Sequence, residues 1–248
     1  MQYRASFLLL SLAQLIGTGA EFLALWALFA RFRHVQGWTL PEVGLFYGIA
    51  HVAFALAESI ARGFDVFPGM VKSGDFDRIL LRPRSSAFQV LGQHFAHTRI
   101  GRLAQGATVL IWAACALDIA WTPARAALLA GAVAGGACLF SGLFILQAAA
   151  AFWTTESLEI ANCFTYGGVE TAQYPLTIYR PWFRRAFTFL IPLACVNYFP
   201  AHALLARPEP LGAPTPFLWA APLIGLAFLL ATLQFWRLGV RHYRSTGS

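Results

Sequence analysis

Long apolar runs separated by short polar breaks dominate this sequence. A membrane-spanning helix needs about 20 mostly apolar residues, because the bilayer core holds no water to satisfy exposed backbone groups. Six stretches meet this requirement, at residues 7–32, 40–61, 103–121, 124–152, 186–205 and 217–238. The pattern therefore predicts an all-α, polytopic membrane protein with six transmembrane helices, in a single domain that covers residues 1–248.

The fifth stretch and the residues before it are less regular than the rest. Pro192, Asn197 and Pro200 interrupt the fifth stretch, and proline in a helix interior removes a backbone hydrogen bond. We therefore expect this helix to be kinked or broken. Residues 154–185 are too polar to cross lipid, so we expect them to be cytoplasmic or buried in protein.

The distribution of basic residues predicts how the chain is oriented in the membrane. Cytoplasmic loops of membrane proteins are enriched in lysine and arginine. Placing both termini in the cytoplasm puts all but four of the 18 basic residues inside, including Arg180, Arg184 and Arg185. The four that remain outside are Arg31, Arg33, Arg125 and Arg207.

Composition agrees with a membrane protein and excludes other classes. The chain has 248 residues, of which 58% are hydrophobic and only 12% are charged. Its net charge of +7 is scattered between apolar runs rather than gathered into a basic patch, so nucleic acid is not an expected partner. The four cysteines show no paired spacing, and we expect neither disulfides nor a metal site.

Residues 62–87 form a cytoplasmic break between the second and third spans, and part of this break combines charged and apolar side chains. Such a segment suits docking on a soluble partner, with its charges setting the register. It equally suits an interfacial helix that rests on lipid headgroups. The candidate contact residues are Val71, Lys72, Asp75, Phe76, Asp77, Arg78, Ile79, Leu80 and Arg82. Among them, Asp77 and Arg78 are the first choices for polarity, and Phe76, Ile79 and Leu80 for an apolar anchor.

Three ionisable residues fall inside the predicted spans. Glu21 lies near the middle of the first span, His51 near the middle of the second, and Glu58 closer to the cytoplasmic end of the second. One interpretation is that they line a translocation path; another is a structural pair of Glu21 with His51 or Gln14. If the three formed a proton site, the chain would be a proton-coupled secondary transporter.

No catalytic motif is present. Lys72 is followed by Ser73 but lacks the preceding glycines of a phosphate-binding loop, so we expect no ATP hydrolysis by this chain. The sequence also lacks GxSxG and HExxH. We expect a non-enzymatic protein that holds no cofactor of its own.

Several short motifs resemble those of one transporter family. They are GDFDRILLRP at 74–83 followed by FQV, FWT at 152–154, YP at 174–175, IP at 191–192 and NYFPA at 197–201. In this order they resemble ABC-2 type transporter permeases, and most closely the small six-span permeases that are paired with a separate ATPase.

The resemblance implies a function and a set of partners. It implies an exporter subunit in the bacterial cytoplasmic membrane, working as a dimer with a second copy or a paralogous permease. ATP and Mg²⁺ would be bound by the partner ATPase, and the cargo would be an amphipathic or toxic small molecule. Residues 62–87 would then be the coupling segment that contacts the ATPase.

Overall fold

The described part of the structure is predominantly helical. The computed structural model describes residues 4–94, 99–154 and 158–244, and within them there is no strand beyond an isolated bridge between Val35 and Trp38. Four helices in this part are long and apolar enough to cross a membrane, and a bent pair of helices is a fifth candidate. The predicted all-α, polytopic membrane fold is therefore confirmed.

Twelve α-helices follow one another along the described residues. They are α1 (Arg4–Phe32), α2 (Leu40–Asp65), α3 (Phe67–Lys72), α4 (Asp75–Leu80), α5 (Ser86–Gln93), α6 (Ile100–Ala116), α7 (Pro123–Ala150), α8 (Leu158–Ala172), α9 (Pro181–Arg185), α10 (Phe199–Leu204), α11 (Thr215–Ala220) and α12 (Leu223–His242). Short π-helical segments, Ala186–Leu190 and Ala194–Tyr198, extend α9 and lead into α10.

Local chemistry explains where the central helices begin. Thr39 precedes α2, and its backbone N–H and its hydroxyl both donate to the Glu42 carboxylate at 2.8 Å. The hydroxyl of Thr122 accepts from the Arg125 backbone N–H at the start of α7. Side chains of this kind satisfy the unpaired donors of a first helical turn.

Helix α2 is the centre of the bundle. It runs antiparallel to α6, and a Cβ on Gly48 would lie only 2.6 Å from Leu110. It runs parallel to α7, where the ring of Phe54 meets Phe140 with centroids 5.1 Å apart. The absence of a side chain at Gly48 is therefore what lets α2 and α6 approach so closely.

Helices α7 and α12 run parallel to each other. Gly135 lies beside Pro222 and Gly225, and further along Phe152 lies beside Gly239, where an added Cβ would come within 2.4 Å of the ring. The glycines of the fourth apolar stretch thus serve packing within the chain.

Helix α8 carries the polar residues 158–172 along α2 in the opposite direction. The Tyr166 ring packs on Phe54 at 5.4 Å. One turn after the helix ends, the Trp38 indole donates to the Thr177 hydroxyl at 3.1 Å, next to the start of α2. One face of α8, with Thr165 and Val169, is buried in the protein, and the other, with Phe164 and Glu170, is exposed.

The fifth apolar stretch is broken, as its prolines predicted. Pro181–Leu190 and Ala194–Leu204 meet at 85°. At the break, the Asn197 side chain donates to the backbone carbonyls of Phe46 and Ala172, which holds the bend against α2 and α8.

Arg184 and Arg185 lie at the same end of the bundle as residues that the sequence predicted on the opposite side of the membrane. They line a cavity of about 840 Å³ together with residues 210–214, which closely follow Arg207, one of the four basic residues predicted to lie outside. The prediction grouped them with the termini because it kept residues 154–185 on one side. In the structure, α8 carries the chain along α2 to the opposite end of the bundle, near Trp38.

Candidate functional site

Within the predicted coupling segment, residues 67–82 contain two short helices, α3 and α4, joined at Ser73 and Gly74, and we use the name coupling segment for these residues. Gly74 has a φ of 76°, a left-handed conformation that glycine adopts without steric cost, and it allows the chain to turn between the helices. The Ser73 hydroxyl donates to the Asp75 carboxylate at 2.7 Å, which fixes the start of α4.

The two helices have a buried face and an exposed face. Val71, Phe76 and Ile79 are buried against the protein's own helices, with at most 5% of each residue exposed. On the outer side, Leu80 is 42% exposed and Leu81 is 85% exposed. The other predicted contact residues on the exposed face are Lys72, Asp75, Arg78 and Arg82.

An aromatic cluster attaches the buried face to the bundle. It consists of Phe64, Phe67, Phe76, Phe152, Trp236 and Tyr243. The Phe76 ring lies 5.0 Å from Phe67, 5.0 Å from Tyr243, 5.5 Å from Phe152 and 6.1 Å from Trp236. The coupling segment is thereby fixed to the C-terminal ends of α7 and α12.

Two polar contacts surround this cluster. The Trp236 indole N–H donates to the Ser86 hydroxyl at 3.2 Å, at the start of α5. Tyr243, just beyond α12, has its pKa raised by burial and by the nearby carboxylate of Asp77. Asp77 is thus partly directed toward the C-terminal end of the protein's own chain rather than wholly outward.

A second group of polar residues lies where α2 meets the coupling segment, and we call it the Glu58 cluster. Glu58 is fully buried, and three arginines approach its carboxylate: Arg99 at 2.8 Å, Arg102 at 3.3 Å and Arg62 at 3.8 Å. Tyr166 donates to Glu58 at 3.4 Å. These contacts join α2 to α8, to the start of α6 and to the residue before it.

The Glu58 cluster extends to the last residue of α2. Arg62 pairs with Asp65, and Gln147 of α7 donates to Asp65 at 3.4 Å. Asn162 of α8 accepts from Gln147 at 3.4 Å. Removing one partner from a buried charge cluster leaves an uncompensated charge. A single substitution at this junction should therefore destabilise the protein.

The three residues predicted to line a path occupy different surroundings. His51 is buried, with its Nε2 3.3 Å from the Gln173 side-chain oxygen. Glu21 is exposed on α1 and interacts electrostatically with Glu170 and Arg102. Glu58 belongs to its own cluster, and Arg102 of that cluster also interacts electrostatically with Glu21 and His51. The Gln14 side chain lies outside the described part.

Sequence reasoning missed the partners that hold these residues. Arg99 and Arg102 were visible only as basic residues before a span, and Trp236 and Tyr243 only as aromatic residues near the C terminus. The i, i+4 spacing of Glu58 and Arg62 was the one local signal of an ion pair. In the described residues, no group of three or more His, Cys, Asp or Glu side chains is arranged to hold a metal ion.

The fold and the coupling segment define a polytopic helical membrane protein, and comparison with known families identifies its class. The model of a family described as ABC-2 family transporter protein matches residues 15–247. The chain belongs to this family, whose members are the membrane components of ABC transporters and work with ABC ATP-binding subunits. No curated protein and no solved structure matches the chain.

Proposed function

We propose that this chain is the permease subunit of an ATP-driven exporter and that α3 and α4 dock on a separate ATP-binding subunit. The observation that carries the proposal is the two-faced coupling segment. Its inner face is fixed to α7 and α12 by the aromatic cluster, and its outer face presents Arg78, Leu80 and Leu81. A docking surface can pass a movement to the bundle only if its inner face is firmly bound to the helices behind it.

Docking therefore involves two sets of residues with different tasks. Arg78, Leu80 and Arg82 contact the ATPase from the exposed face. Phe76 and Ile79, which are buried within the chain, hold the segment to the bundle. Of the three residues predicted as the apolar anchor, Phe76 and Ile79 thus lie on the buried face and Leu80 lies on the exposed face.

We further propose that the chain crosses the membrane six times. Because α7 and α12 run in the same direction, the chain between them must cross once more. Helix α8 and the turn after it supply this crossing, from the Glu58 cluster to Trp38. The bent pair Pro181–Leu204 then enters and leaves on the external side, so the fifth crossing precedes the predicted range 186–205.

The orientation follows from the position of the coupling segment. Both termini are placed in the cytoplasm of a bacterium, with the protein in its inner membrane. The support is the concentration of basic residues at this end of the bundle, even with Arg184 and Arg185 on the other side. These basic residues are Arg62, Lys72, Arg78, Arg82, Arg84, Arg99 and Arg102.

The face that carries Glu21 and Glu170 is assigned to the translocation path. Both residues are exposed, and an acid in contact with lipid costs about 3 kcal/mol on insertion scales. A water-filled path between two permeases, identical or paralogous, removes this cost. The acids would favour amphipathic cargo with positive charge, including toxic organic compounds.

ATP-driven closure of the ATPases would push on α3 and α4. The aromatic cluster passes this movement to α7 and α12, and the Glu58 cluster passes it to α6 and α8. The bundle would shift between inward-facing and outward-facing states, provided that the ATPase binds the two states with different affinity.

Co-purification tests the docking proposal. The permease is co-expressed with a candidate ATPase encoded beside it, as wild type and as the double variant Arg78→Glu, Leu80→Asp. A matched control carries Arg33→Glu and Leu211→Asp, two exposed positions at the opposite end. We expect the first variant to lose the ATPase and the control to retain it, with both folded in the membrane.

The same preparation tests the alternative of a proton-coupled transporter. Flux driven by a pH gradient in the absence of any ATPase, and lost in Glu21→Gln, would support that alternative. Retention of the ATPase by the Arg78→Glu, Leu80→Asp variant would contradict the docking proposal.

A further inference from the structure

The cavity of about 840 Å³ beside the start of α12 lies at the end of the bundle opposite the coupling segment. Its volume is within the range of small-ligand sites. Both arms of the bent pair, Pro181–Leu190 and Ala194–Leu204, contribute to its lining. Residues 210–214, which connect α10 to α11, and side chains of α11 and α12 complete the wall. A ligand held in this cavity would therefore join the bent pair to α12.

The walls of this cavity are mostly apolar. Four phenylalanines line it, Phe189, Phe199, Phe217 and Phe228. At the bend, Phe189 is 84% exposed and Leu190 is 71% exposed. Large apolar side chains that are exposed together are typical of a surface that contacts a membrane or another protein. The apolar wall thus continues onto a surface suited to contact with hydrocarbon chains.

Two arginines interrupt these apolar walls. Arg184 and Arg185, the last two basic residues of α9, both line the cavity. Arg184 is half-buried and Arg185 is exposed. Within residues 4–94, 99–154 and 158–244, no carboxylate forms an ion pair with either guanidinium. The cavity therefore combines an apolar wall with two positive charges.

Glu209 offsets only part of this positive charge. Its two carboxylate oxygens accept hydrogen bonds from the backbone N–H groups of Leu211 and Ala213, each at 2.8 Å. Glu209 and Arg184 both interact electrostatically with Tyr198, so the acid lies near this end of the cavity. Two arginines against one carboxylate leave one positive charge in excess beside the apolar wall.

We propose that this cavity binds an anionic lipid, with a hydrocarbon chain along the phenylalanines and the acidic headgroup on Arg184 and Arg185. A guanidinium presents paired N–H donors that match the oxygens of a phosphate group. Basic pockets between membrane helices bind lipid headgroups through such residues. The bound lipid joins both arms of the bent pair to α12 and stabilises the break at Pro192. Only the side of the membrane on which the site lies rests on the orientation proposed above.

Arg185→Gln and Arg180→Gln form a matched pair of variants. Each removes one exposed arginine near the start of the bent pair, but only Arg185 lines the cavity. The full-length protein, without any ATPase, is placed in nanodiscs of phosphatidylcholine, with or without phosphatidylglycerol. Thermal melting gives the stabilisation, and native mass spectrometry gives the number of phosphatidylglycerol molecules retained.

We expect phosphatidylglycerol to raise the melting temperature of the wild type. We expect Arg185→Gln to weaken phosphatidylglycerol retention about fivefold, the effect of one basic residue near a charged membrane surface, and Arg180→Gln to weaken it less than about twofold. Hydrogen–deuterium exchange locates the effect. Phosphatidylglycerol should slow exchange at residues 184–199 and leave α3 and α4 unchanged.

Three results would overturn the site. The first is the absence of stabilisation by phosphatidylglycerol. The second is equal weakening by the two variants, which would indicate a diffuse attraction to the membrane surface. The third is equal stabilisation by glycerol phosphate in phosphatidylcholine alone, because the apolar wall would then contribute nothing to binding. Since no ATPase is present, each result leaves the docking proposal untouched, and a failure of docking leaves this site untouched.

Discussion

Phe76→Ala should release the coupling segment from the bundle. The Phe76 side chain is fully buried and contacts four aromatic rings. Truncating a buried phenylalanine costs about 3–5 kcal/mol. The lower value is about 3 kcal/mol. Since 1.36 kcal/mol is a factor of ten, it corresponds to a change of about 150-fold in the equilibrium between the attached and the released coupling segment.

Hydrogen–deuterium exchange of the purified permease measures this opening directly. We expect the backbone amides of α3 and α4 to exchange about 150-fold faster in Phe76→Ala, or to lose protection entirely. Exchange at the centre of α2 should be unchanged. Phe76→Leu keeps most of the volume, so its effect should be intermediate.

Phe88→Ala is the matched control for this experiment. Phe88 lies in α5, near the same end of the bundle, but is 64% exposed. We expect its removal to leave exchange in α3 and α4 within a factor of two of the wild type. A change of less than threefold in Phe76→Ala, or an equal change in both variants, would refute the attachment by the aromatic cluster.

Two further changes test the packing of α2 and its charge cluster. Gly63→Ala should lower the melting temperature, because its Cβ would lie 1.8 Å from the Val90 backbone oxygen; Gly69→Ala, with nothing within 4 Å, should not. Glu58→Gln should destabilise the purified protein by about 3–5 kcal/mol in denaturation, because it removes a fully buried charge that partly buried arginines share. Asp75→Asn, in an exposed pair, should cost less than about 1 kcal/mol, and equal losses in the two would contradict the Glu58 cluster.

The sequence was sufficient for the class of protein because hydropathy reflects the bilayer directly. The all-α membrane fold and the ABC-2 resemblance are both confirmed. Pro192 and Pro200 also predicted the break in the fifth stretch correctly, since a missing backbone donor acts locally. These features depend on single residues or on short windows of the chain.

The packing of helix α8 along α2 was not predicted, because it depends on polar residues that pair across the bundle. Gln173, just after the helix, meets His51, and Tyr166 meets Glu58. Hydropathy assumes that every face of a helix contacts lipid, and here the polar face contacts α2 instead. Such pairing depends on residues more than 100 positions apart, which no local pattern reveals.

The sequence predicted a set of contact residues between 71 and 82, but it did not separate the two faces of this stretch. Phe76 and Leu80 look equally suited to anchoring a partner in the sequence. Only the approach of Trp236 and Tyr243 from the end of α12 makes Phe76 an internal contact and leaves Leu80 at the surface.

The central claim is that the exposed face of α4 and the residue after it contact the ATPase, and photo-crosslinking tests it most directly. A photoreactive phenylalanine is placed at Leu81, which is 85% exposed, and in a control at Leu211, between α10 and α11. After co-expression with the candidate ATPase, we expect irradiation to link the ATPase to position 81 and not to position 211. An intact complex that crosslinks at neither position, or equally at both, would contradict the claim.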